Sequence, residues 1–290
     1  MESLRPAAGP PLFLVPPGEL TAQVMTLTGP EGHHAATVRR LRAGERADVG
    51  DGAGTIAEGV VSDVGKDSVT LDIRAVHTVP APRPLLTVAQ ALPKGDRAEL
   101  AVELMTEIGV DVVIPWAAER SITKWHAERG DKALGKWRAT AREAAKQSRR
   151  AWLPEITGLV STTALAPRVA AAACAVVLEA DAPAKLHELP LPATGEILLL
   201  VGPEGGISPA ERAALRHAGA IEARLGPTVL RTSTAGATAA AILLSRVNRW
   251  LAESARPLIG PRAARHPRST ATRAVTGAHE AHEIHEAHEA

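Results

Sequence analysis

Aromatic side chains are nearly missing from this chain, whose 290 residues include five tryptophans, one phenylalanine and no tyrosine. That scarcity argues against a single-strand binder built from stacked aromatic platforms, although RNA can still be recognised by charge and shape. Cysteine is almost absent as well. Cys174 stands alone in the apolar run VAAAACAVVLEA, which excludes a disulfide framework and a cysteine metal site and leaves a buried thiol as the expectation. Long hydrophobic runs are lacking. The opening MESLRPAAGPPLFLVPP contains no uninterrupted apolar core of a signal peptide, and no segment approaches the length of a membrane span, so a soluble cytoplasmic protein with no membrane partner is expected. Net charge is missing too, with 33 Lys+Arg against 32 Asp+Glu. Any affinity for nucleic acid must then come from local patches.

What is present changes character along the chain. Residues 11–79 read as short strands broken by the turn signals GDGAG and VGKDS, which predicts antiparallel hairpins in a small β-rich domain. Residues 1–10 are read as disordered. The Pro-rich HTVPAPRP contains a stiff linker at 80–84. From 85 to 253 strands alternate with helices, the pattern of a parallel α/β sheet. LLTVAQAL is a strand, and Asp96 with Glu99 caps a helix that turns Leu100, Leu104, Met105 and Ile108 to one side and stops at Gly109. VDVVIPW is the next strand, a polar helix spans about 131–150, and VAAAACAVVLEA and EILLLVG are further strands. Ser208, Pro209 and Glu211 mark the start of another helix that ends at Gly219. A strand near EARLG precedes a last helix that begins around 231–234 and runs to about 251. Residues 254–290, rich in Pro, Arg, Ala and His, are read as a disordered tail.

Two stretches point to chemistry. In LLLVGPEGGISPAER a buried strand, a glycine turn and a capped helix bring free backbone N–H groups to the C-terminal edge of the sheet, where open α/β sheets bind ligands. The order GPEGG is neither a dinucleotide fingerprint nor a P-loop. Glu204 between the glycines would repel a phosphate and suits a ligand bearing hydroxyls, an amine or a positive charge. LGPTVLRTSTAG repeats the design, with a short strand, a hydroxyl-rich turn and a helix whose first residues are nearly all small.

These two motifs, in this order and about twenty residues apart, resemble the signature of the small-subunit (16S) ribosomal RNA uracil-N3 methyltransferase family of the SPOUT superfamily. The resemblance extends to ALPKGDRAELAVELMTEIGV, to EAAKQSRRAWLPEI and, in the N-terminal region, to HHAATVRRLRAGE, and so covers roughly 11–251. It implies an α/β fold with a trefoil-knotted parallel sheet and helices on both faces, preceded by a small PUA-like β-barrel domain. It also implies a homodimer, S-adenosyl-L-methionine as cofactor and small-subunit ribosomal RNA, within an assembled particle, as substrate. Carried over by position, Gly202, Glu204, Gly205 and Gly206 form one cofactor loop, and Leu225, Gly226, Leu230, Arg231, Thr232 and Thr234 the next. The chain departs from the family pattern at Ser233, where Glu is common, at Arg39, usually apolar, and at Leu104, often Lys.

The chemistry needs no metal. Uracil N3–H is about as weakly acidic as a tyrosine phenol, so stabilising the anionic base assists methyl transfer. Arg231 is the candidate for that charge, and Glu204 for orienting the cofactor; the general base is unassigned. For RNA, the stretch from Lys132 to Arg150 holds seven Lys/Arg against one acid, Glu143. Arg138, Arg142, Lys146 and Arg150, with Gln147 beside them, recur on one helical face. Lys94, Arg40 and Arg42 are further candidates. The tail histidines His279, His282, His285 and His288 lie outside any core, and no metal site is assigned to them. Three alternatives remain: a SPOUT enzyme acting on a ribose hydroxyl or transfer RNA, a non-catalytic RNA-binding assembly factor, and a dinucleotide-dependent enzyme, although the last lacks its fingerprint.

Overall fold

The computed structural model describes residues 9–20, 23–95 and 97–250. Asp96, the expected cap, and the tail with its histidines lie outside these residues. Two sheets organise the described residues.

The N-terminal sheet has five strands. β1 (Leu12–Leu14), β2 (Val24–Leu27), β3 (Arg46–Gly50), β4 (Thr55–Val64) and β5 (Val69–Thr78) pair in the order β1-β3-β4-β5-β2. The helix α1 (Gly29–His33) and a π-helical turn at His34–Val38 connect β2 to β3. β3–β4 and β4–β5 are the two expected antiparallel hairpins. Register shifts at Glu58/Gly59 and Val61/Asp63 curl the sheet. It closes over Phe13, Leu27, Val49, Val69 and Leu71, all fully buried.

The second sheet is entirely parallel. Along the chain come β6 (Leu85–Ala91), α2 (Arg97–Ile108), β7 (Val112–Ala117), α3 (Ala127–Gln147), β8 (Glu155–Ile156), β9 (Val160–Ser161), α4 (Thr162–Ala171), β10 (Cys174–Leu178), β11 (Ala184–Lys185), β12 (Glu196–Val201), α5 (Pro209–His217), β13 (Ile221–Arg224) and α6 (Thr232–Arg246). The order is β11-β13-β10-β12-β6-β7-β8, with β9 also on β7. Residue alternation explains the two layers. Leu86 and Val88 of β6, with Ile197 and Leu199 of β12, pack on α2, α3 and α6. Ala89, Ala91, Leu198 and Leu200 pack on α4 and α5 on the opposite face. Period-2 side chains that are apolar on both sides require helices on both sides. Pro115 is tolerated inside β7 because β8 pairs up to Val113 and β9 begins at Trp116, so its missing N–H falls in the gap between them.

Local chemistry sets the helix ends. Ser208 Oγ accepts from the Glu211 amide while the Glu211 carboxylate accepts from the Ser208 amide, the capping box expected at α5. Gly109 and Gly219 follow α2 and α5 with φ of +112° and +104°. Three sequence expectations need correction. The buried side of α2 is Ala101, Val102, Met105 and Thr106, with Leu100 exposed, because α2 wedges between α3 and α6 and small residues fit there. The helix read as 131–150 is α3, Ala127–Gln147. The run from Val169 is a strand only from Cys174, since its alanines extend α4 to Ala171. Cys174 is buried as expected, and burial pushes its thiol pKa up. Among the described residues no helix is long and apolar enough to cross a membrane, and no three His, Cys, Asp or Glu are grouped to hold a metal.

Candidate cofactor cleft and basic surfaces

Four neighbouring strands, β13, β10, β12 and β6, end at the same edge, and the loops leaving them enclose a cleft of about 330 Å³. Leu178, Glu179 and Ala180 come from the end of β10, Val201 to Glu204, Gly206 and Ile207 from β12, and Leu225, Gly226 and Thr228 to Thr232 from the turn into α6. Arg97, in the first turn of α2, adds a cation. The size lies within the range of small-molecule sites, as does the mixture of apolar walls and few charges.

Gly202 is required by space, since a Cβ there would stand 2.6 Å from Ile207 Cγ1. Gly206 is required by conformation, with φ +72°, and its amide closes the turn onto the Pro203 carbonyl at 2.9 Å. Glu204 lines the cleft and at the same time accepts from the Lys94 backbone amide at 3.3 Å, tying the β12 turn to the loop after β6. Arg231 is the N-cap residue of α6, and its carbonyl accepts from the amides of Thr234 and Ala235. Arg231 is exposed, lines the cleft and pairs through its side chain with no other described residue.

Of the sequence candidates, Gly202, Glu204, Gly206, Leu225, Gly226, Leu230, Arg231 and Thr232 line the cleft together. Two do not. Gly205 turns away, its carbonyl accepting from Arg120 at 3.3 Å. Thr234 uses its hydroxyl on the Arg231 carbonyl. Sequence reasoning missed Arg97 and Glu179. Glu179 directly follows β10, so a search of every strand end for ionisable residues would have found it.

The basic helix is arranged differently from the expectation. Lys146 is buried, with its ammonium 3.1 Å from the Glu31 carboxylate. Arg142 reaches the same carboxylate at 3.2 Å and the Leu14 carbonyl at 3.0 Å. Arg150, beyond the helix end, donates to the Val110 carbonyl and lies 3.5 Å from Asp111, which Arg249 also holds at 2.6 Å. Burial pulls the Arg150 pKa down to about 10, which leaves it charged at neutral pH. This part of the face is turned inward, because Arg142 and Lys146 meet the Glu31 carboxylate of α1 and the Leu14 carbonyl of β1, while Arg150 meets groups just before β7. Arg138 stays exposed but spends one donor on the Ile156 carbonyl. Gln147, Lys94, Arg40 and Arg42 are exposed.

The likenesses to known proteins agree with this geometry. The family described as RNA methyltransferase domain matches residues 80–244, and the RNA methyltransferase PUA domain matches residues 27–74. The ribosomal RNA small subunit methyltransferase E of Mycobacterium tuberculosis (strain CDC 1551 / Oshkosh) is 46% identical over 243 residues, 82% of this chain and 93% of that protein. Its namesake in Bacillus subtilis (strain 168) is 31% identical, over 74% of this chain and 87% of that one. The structure of a ribosomal RNA small subunit methyltransferase E from Neisseria gonorrhoeae bound to S-adenosyl methionine superposes with a TM-score of 0.71 at 25% identity, covering 82% of this chain and 98% of that chain. A protein from Legionella pneumophila, solved with SAM as bound cofactor, gives 0.72 at 28% identity with the same coverage. The chain therefore belongs to the ribosomal RNA small subunit methyltransferase E family.

Proposed function

We propose that this protein transfers a methyl group from S-adenosyl-L-methionine to N3 of a uridine in small-subunit (16S) ribosomal RNA. The observation that carries the reading is the meeting of the Gly202–Gly206 turn and the Leu225–Thr232 turn in one cleft, with an arginine at its side that pairs with no other described residue.

The residues of the cleft fit the cofactor. Leu178, Val201, Ile207, Leu225 and Leu230 offer an apolar wall for a purine ring, and Glu204 offers negative charge to a cation, beside Glu179, which Arg212 holds at 3.6 Å. The glycines let backbone approach the ligand without side chains between. When bound, S-adenosylmethionine supplies an electrophilic methyl group. Arg231 then holds the developing charge on the uracil ring, lowering the cost of losing the N3 proton. The closed turns hold the base in line and exclude water.

The wider reading follows the same family. Residues 11–79 act as a PUA-like RNA-binding domain, 80–84 as a linker and 85–253 as a trefoil-knotted SPOUT methyltransferase domain. The protein works as a cytoplasmic homodimer on an assembled particle, with Arg40, Arg42, Lys94, Arg138 and Gln147 as its candidate RNA contacts. Arg142, Lys146 and Arg150 support that surface from inside. Nucleoside mass spectrometry of small-subunit RNA from a deletion strain tests the reading: 3-methyluridine disappears and returns on complementation. Undiminished 3-methyluridine in the deletion strain would overturn it.

A further inference from the structure

A second cleft, of about 340 Å³, opens on the other side of the segment that follows β6. Pro93, Gly95 and Glu99 form one wall, and Trp125, Arg129, Lys132 and Lys136 belong to the other. Trp125 is half-buried and stands edge-on to the buried Trp137, with ring centroids 5.2 Å apart and planes at 79°. A fixed indole beside an open space is a surface on which a planar base can rest.

The charges point to a polyanion. Arg129, Lys132 and Lys136 sit three and four residues apart on α3, so they share one helical face, and all three are exposed. None pairs with another described residue. This sets them apart from Arg142, Lys146 and Arg150, whose charges are consumed by protein partners. One carboxylate, Glu99, also lines the cleft, so cations outnumber it three to one. Position supplies the link to the reaction. Arg97 lines the cofactor cleft while Ala98 and Glu99 line this one, and Lys94, between Pro93 and Gly95 of this cleft, donates its amide to Glu204 of the other.

We propose that this second cleft docks a nucleotide of the RNA strand flanking the target uridine, with its base against Trp125 and its phosphate held by Arg129, Lys132 and Lys136. The inference rests on the methyltransferase reading for the identity of the strand, but its binding chemistry can be tested without turnover. The probe is a short fluorescein-labelled oligouridine, titrated by anisotropy into the full-length protein at several salt concentrations. The triple variant R129A/K132A/K136A removes exposed side chains only. It is expected to bind the probe at least tenfold more weakly, with the slope of log affinity against log salt reduced by about 0.7, as loss of one neutralised phosphate on a single strand requires. W125L is expected to weaken binding roughly tenfold while keeping the salt slope, because a stacked base carries no counterion. Cofactor affinity stays at the wild-type value in both variants. Wild-type probe affinity and salt slope in the triple variant would overturn the proposal. Failure of the wild-type protein to form 3-methyluridine would overturn the functional reading instead, and leaves the anisotropy result standing on its own.

Discussion

Glu204 stands between two roles, lining the cofactor cleft and accepting from the Lys94 amide at 3.3 Å. The two roles separate by substitution. E204Q keeps an acceptor for Lys94 and removes the charge; E204A removes both. If the carboxylate mainly braces the turn, E204A weakens cofactor binding about fivefold, as loss of one hydrogen bond predicts, while E204Q stays near wild type. Equal losses in a calorimetric titration would assign the effect to charge. The two glycine-bearing loops were legible in sequence because abrupt strand ends, glycines and a capping serine are local signals. Arg97 and Glu179 were not, because Arg97 opens a helix and Glu179 follows a strand end without glycine, and only the strand order β13-β10-β12-β6 brings them to one cleft.

At the level of elements, the start of α5 does more than cap a helix. Burial alone would raise the Glu211 pKa, but hydrogen bonds from the Thr162 hydroxyl at 2.6 Å, from the Glu119 amide and from Ser208 outweigh it and hold the pKa below the ordinary 4.5. A depressed folded-state pKa stabilises the protein above 4.5, and that contribution fades as pH falls through the folded value. E211Q should therefore lower the thermal midpoint at pH 7 and show a shallower loss between pH 5 and pH 3 than wild type, measured by circular dichroism melts. Equal acid-side slopes would remove Glu211 from the account. The capping box was readable because Ser208, Pro209 and Glu211 are adjacent in sequence. The contact with Thr162 was not, since the two residues lie 49 positions apart. The misplaced start of β10 has a local cause: alanines at 170–173 satisfy a helix and an apolar strand pattern equally well.

Across the whole molecule, the segment from Arg142 to Leu153 fastens the parallel sheet to the N-terminal one. The Leu153 amide donates to Gly52, the Gly54 amide to Ala151, and Trp152 Nε1 to Val79, while Glu31 takes Arg142 and Lys146. Gly54 must be glycine here, since its φ is +102° and a Cβ would meet the Trp152 ring at 2.5 Å. Removing Glu31 leaves the buried Lys146 ammonium with only the exposed Glu143 carboxylate, at 3.4 Å. E31A is expected to cost about 3 kcal/mol in urea unfolding, and E31M/K146M to recover most of it. An E31A midpoint equal to wild type would show that the latch carries no stability. A basic, polar helix reads as a nucleic-acid face when only sequence is available. Which side turns inward is decided by a carboxylate more than 100 positions away, beyond any periodicity argument.

The central claim concerns the chemistry of the cleft, and one measurement reaches it directly. Purified protein is incubated with small subunits from a deletion strain and methyl-labelled S-adenosylmethionine, and the RNA is digested to nucleosides for mass spectrometry. The account predicts label in 3-methyluridine, at a rate that R231A lowers by roughly 10²–10³ while remaining folded. Label in a ribose-methylated nucleoside, no label at all, or an R231A rate equal to wild type would contradict it.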